Sequence, residues 1–74
     1  MPKSTRDKLI EVCDSNILAC IKIKSQCSHI KYLFIEAEQT YNKSYAEQVV
    51  LIDQAMQVAE MLRDFFERYK REQL

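Results

Sequence analysis

Three cysteines, one histidine and two neighbouring carboxylates are the side chains of this sequence whose types could do chemistry. Cys13, Cys20 and Cys27 recur at intervals of seven. On an α-helix that interval is about 10.5 Å along the axis, whereas a disulfide needs Cα atoms within roughly 7 Å. No two of them can be bridged within one helix. The spacing is also neither CxxC nor the i,i+4 interval of helical metal ligands. The thiols therefore read as small buried hydrophobes, and their odd number favours the reduced state. An intermolecular disulfide or redox role is the alternative. His29 would have Ser25, Gln26, Tyr32 and Leu33 as helical neighbours, with no carboxylate three or four residues away. It reads as a surface or interface histidine. Glu36 and Glu38 lie two apart, so on a helix they point to different sides and make a poor acid–base pair. The chain has no Gly, so a phosphate-cradling loop lacks its usual residue. The expectation is a protein that is not an enzyme, with no catalytic residue, no cofactor and no metal.

The cysteines belong to a longer pattern. Cys13, Cys20, Cys27, Phe34 and Tyr41 alternate with Leu9, Asn16, Ile23, Ile30 and Ala37 in steps of four and three. That repeat keeps one side of a helix turned toward a partner helix. Asn16 is the polar exception, a residue that either fixes register or faces water near a fraying end. Ser4, three residues before Asp7, marks a helix start in the manner of a capping box, and Ser44 before Glu47 marks a second. The second helix would bury Leu51, Ile52, Ala55, Val58, Ala59, Leu62, Phe65, Phe66 and Tyr69 on a face about 140° wide. Asn42 can take the left-handed conformation that ends a helix.

These signals predict an all-α, coiled-coil-like antiparallel hairpin in one domain, with helices over about 5–39 and 45–71 and a loop over 40–44. The packing seam within it would comprise Leu9, Cys13, Cys20, Ile23, Cys27, Ile30 and Phe34 from the first helix. Ile52, Ala55, Ala59, Leu62, Phe66 and Tyr69 would complete it from the second. The same repeat continues in phase across the proposed loop, so one uninterrupted helix of some sixty residues is the competing architecture.

Charge narrows the function. Charged residues make up 30% of the chain and sum to zero. Residues 1–43 carry seven Lys/Arg against five Asp/Glu, and residues 44–74 carry four against six. Neither half has the basic excess of a nucleic-acid binder. The longest apolar run, Ile17–Ile21, is too short to cross a bilayer, and no signal-peptide core is visible. A soluble, cytosolic protein without membrane insertion is expected.

Helix 1 also has more apolar surface than one neighbour can cover. Ile10, Ile17, Ile21 and Ile35 form a second stripe with Tyr32 at its edge, and Val12, Ala19 and Leu33 widen the other flank. A stripe of that kind suggests a contact surface, and two helices without metal or disulfide need a third surface.

The segment from Tyr41 through Ser44, Tyr45, Glu47 and Val49–Val50–Leu51–Ile52 to Ala55 has a familiar arrangement. A long amphipathic helix and a short polar loop lead to a Tyr opening the second helix, then an aliphatic run with Glu/Gln and Ala. Over roughly residues 5–69 the chain resembles the small co-chaperones of bacterial type III secretion systems, the YscE/PscE/AscE group and its EscE/SsaE relatives. The seam cysteines and the isoleucine stripe depart from that group. The resemblance implies a bacterial cytoplasmic hairpin that binds a helical-repeat (tetratricopeptide-like) chaperone. The pair would then hold the needle subunit, or a translocator, and prevent premature polymerisation. By that analogy Ile10, Ile17, Ile21, Ile35 and Tyr32 form the docking face. The alternatives are a homodimeric four-helix bundle or coiled coil, and a small inhibitory regulator.

Overall fold

The computed structural model describes residues 3–73, with side chains through residue 72; Pro2 lies outside this range. Two helices account for nearly all of it: α1, Thr5–Tyr41, and α2, Ala46–Gln73. They form an elongated hairpin with extents of 60 × 20 × 12 Å. The chain is therefore a hairpin and not one continuous helix.

The ends of the helices have identifiable causes. Ser4 is extended, and its Oγ accepts a hydrogen bond from the Asp7 N–H at 3.2 Å, which satisfies one of the free donors of the first turn. α1 runs two residues beyond its expected end and stops at Asn42, whose φ of 53° lies in the left-handed region. Asn tolerates that conformation better than other non-glycine residues. The start of α2 is built differently from the expected Ser44–Glu47 box. The Tyr45 N–H donates to Glu38 Oε1 of α1 at 2.8 Å, while Ser44 Oγ accepts only a long bond of 3.4 Å from Ala46 N–H. The cap is supplied across the hairpin because the four-residue connection brings the last turn of α1 against the first turn of α2. Phe34 and Tyr45 pack there with ring centroids 5.3 Å apart.

The register is antiparallel and regular. Lys24 pairs with Glu60, Lys31 with Asp53 at 2.8 Å, and Lys70 with Asp14 at 2.5 Å. In each pair the two residue numbers add to 84, which places Cys20 level with the Arg63–Asp64 turn and Phe34 level with Val50. On α1, the buried or half-buried positions include Ile10, Cys13, Ile17, Cys20, Lys24, Cys27, Lys31, Phe34 and Glu38. On α2 they include Val49, Ile52, Met56, Ala59, Arg63, Phe66 and Lys70. Both rows step by three and four, as interlocking helices require. Among the described residues Cys13, Cys20 and Ala59 are the buried apolar ones, so the two backbones have small side chains between them.

Candidate partner-binding surface

The structure rotates both helices by about 50° from the expected seam, on the heptad geometry of a coiled coil. Of the seam residues expected on α1, Cys13 and Cys20 are buried and Cys27 and Phe34 are half-buried. Leu9, Ile23 and Ile30 instead face outward. Ile10 and Ile17, expected on the docking stripe, lie half-buried in the seam and take their place. On α2, Ile52, Phe66 and Tyr69 are half-buried and Ala59 is buried, while Ala55 and Leu62 are exposed. Val49 and Met56 occupy the positions expected of Ala55 and Leu62.

The correction has one physical reason. The two flanks of each helix are similarly apolar, so periodicity alone does not say which flank turns inward. The flank found inward is the one along which three charge pairs close between the helices. Lys24 and Lys31 lie half-buried along the seam with their stems against it and their ammonium groups on Glu60 and Asp53. Lys70 reaches Asp14 in the same way. The Lys24 ammonium, hydrogen-bonded to Glu60, holds that carboxyl below the ordinary carboxylate range. These three ion pairs lie on one side of the seam, and the complementary signs at Lys24, Lys31, Asp53 and Glu60 were the signal in the sequence that pointed to it.

The expected docking stripe does not survive that rotation as a continuous surface. Ile10 and Ile17 are turned into the hairpin. Ile21, Ile35 and Tyr32 are exposed, with Leu18 and Val50, but they sit on the ion-paired side, broken up by Asp14, Ser28 and the seam lysines.

The opposite side is different. On α1, Leu9, Val12, Ala19, Ile23, Ile30 and Leu33 follow one another at heptad intervals, interrupted by Asn16 and Gln26. On α2, Leu51, Ala55, Val58, Leu62 and Phe65 do the same without interruption. Equivalent flanks of two antiparallel helices meet on the same face of the pair, so the two rows lie side by side. The nine large apolar side chains in them are between 42% and 64% exposed. From the level of Ala19 and Phe65 to that of Leu33 and Leu51, both helices contribute over about 21 Å. Leu9 and Val12 extend the row on α1. Scattered exposed apolar residues are ordinary; two adjoining rows of them form a candidate interaction surface.

The residues that first suggested chemistry do not come together. Cys13, Cys20 and Cys27 are free thiols at every second turn of the seam, His29 is exposed, and Glu38 caps α2. Among the described residues no group of three or more His, Cys, Asp or Glu side chains could hold a metal ion. Nor is any described helix long and apolar enough to cross a membrane. No family model, curated protein or solved structure matches this chain.

Proposed function

We propose that this protein is a small cytoplasmic co-chaperone of a bacterial type III secretion system. It would dock on a helical-repeat chaperone, and together they would keep the needle subunit, or a translocator, from polymerising before export. The observation that carries the reading is the uncovered apolar face formed by both helices. A two-helix protein that worked alone would need one apolar flank on each helix and would keep the other polar. This hairpin turns the lysine-bearing flank inward, leaving Ile23, Ile30, Leu51, Val58, Leu62 and Phe65 to be covered from outside. A concave array of helices is a suitable cover, because it offers grooves to two parallel rows of knobs. The partner and cargo come from the likeness of the Tyr41–Ala55 segment to the co-chaperone group.

Co-expression with candidate helical-repeat chaperones tests the proposal. The complex should co-purify and show a sharper and higher melting transition than the hairpin alone. Val58→Glu should abolish the complex and leave the helices intact, whereas Ile21→Glu should not disturb it. A melting curve unchanged by every such chaperone would refute the reading.

A further inference from the structure

The same face has the dimensions and composition to be closed by a second copy of the chain. We propose that, without another partner, two hairpins pack these faces together about a two-fold axis and form a four-helix bundle. Area is the first argument. The outward-facing apolar side chains expose on the order of 800 Å² per hairpin, so a pair would bury at most about 1,600 Å², within the range of specific interfaces.

Composition is the second argument. The facing rows contain no charged side chain from Ala19 to Leu33 or from Leu51 to Phe65 except outside the heptad positions, and Gln26 is the polar group nearest the centre. The chain's formal net charge is zero, so two copies meet without net repulsion. Shape is the third. A two-fold contact requires only that one patch complement itself. The rows set small Ala19 and Ala55 among Phe65, Ile30 and Leu62, leaving low points into which the large side chains of a second copy fit.

The dimer stands on the geometry of this face and not on the co-chaperone reading. Where both hold, dimer and hetero-complex use the same rows and exclude each other. The free protein would then mask its own apolar surface until a chaperone displaces the second copy.

Sedimentation equilibrium on the purified full chain, with thermal melts over a broad range of concentrations, tests this. The expected mass is twice the 8.8 kDa of one chain, and the melting temperature should rise with concentration. Val58→Glu and Ile23→Glu should each weaken self-association about a hundredfold, because a carboxylate would be buried without a partner. Ile21→Glu, on the ion-paired side, should leave the doubled mass intact. If the face variants unfold on losing the second copy, the concentration-dependent melt of the unaltered chain still supports the dimer. A folded monomer with a concentration-independent melt overturns it. So does a mass above twice that of the chain, or a dimer that survives Val58→Glu and is lost in Ile21→Glu. A dimer that no repeat chaperone dissociates counts against the co-chaperone reading alone.

Discussion

Cys20→Ser exchanges sulfur for oxygen at a position only 6% exposed, in the middle of the seam between the helices. The thiol is a weak hydrogen-bonding group that behaves as a small hydrophobe. The hydroxyl is not: burying it without a partner costs about 1–3 kcal/mol. A serine in a helix recovers part of this by bonding back to the carbonyl one turn earlier, at residue 16. A net loss of about 1–2 kcal/mol follows, and for a domain of this size it lowers the melting temperature by ~5–15 °C. Cys27 provides the internal comparison, since it lies on the same seam but is half-buried. Cys27→Ser should cost less than half as much. Far-UV circular dichroism melts at one fixed concentration read both values. The rate of native-state labelling by a thiol reagent gives an independent measure, with Cys20 slower than Cys27. A larger loss at Cys27, or labelling of Cys20 at the rate of an unfolded-chain thiol, would refute the packing role of the cysteines.

The rotated seam makes a paired prediction: Ile17→Ala should destabilise the hairpin by about 1–2 kcal/mol, and Ile21→Ala should stay within about 0.5 kcal/mol. Chemical denaturation checks both, and a loss within about 0.5 kcal/mol at both positions would restore the isoleucine stripe as an outer face. At the turn, Asn42→Ala should cost about 1 kcal/mol because Ala resists the left-handed conformation, while Asn42→Gly should hold or raise stability. Both are read from melting curves. Glu60 has its pKa lowered chiefly by the hydrogen bond from Lys24 and then by that cation's charge. Its contribution to stability is therefore complete above the ordinary carboxylate value and is lost as pH falls through the lowered value. Melts of the unaltered protein and of Glu60→Gln should differ at neutral pH and converge in acid; a gap that persists in acid would count against the Lys24 pairing.

Much of the architecture was legible before any coordinates. A four-and-three repeat across Cys13, Cys20, Cys27 and Phe34 requires a helix with one side turned to a partner, and Ser4 and Asn42 have side chains suited to the helix ends they occupy. The hairpin itself was one of two architectures compatible with the repeat, since an unbroken helix keeps the same phase through Tyr41 and Tyr45. What resolves it is tertiary: residues far apart in sequence, such as Asp14 and Lys70, become neighbours only when the chain folds back. The cap of α2 was missed for the same reason, because Glu38 reaches Tyr45 only across a formed turn.

The exposed apolar face shows the division most clearly. Hydrophobic spacing determined how many apolar rows each helix carries, because a side chain's angle around the axis follows from its position in the chain. It did not determine which row meets the other helix. Leu9, Ile23 and Ile30 lie about 100° from Ile10 and Ile17 around α1, with the cysteines between them, and either set completes a seam with the cysteines. That choice depends on what stands opposite. Lys24 and Lys31 face Glu60 and Asp53 only in the antiparallel register of the folded pair, and satisfying those charges leaves the Ile23–Leu62 side uncovered. Local periodicity specifies the helices, but pairing between distant residues specifies which of their faces remain available to another protein.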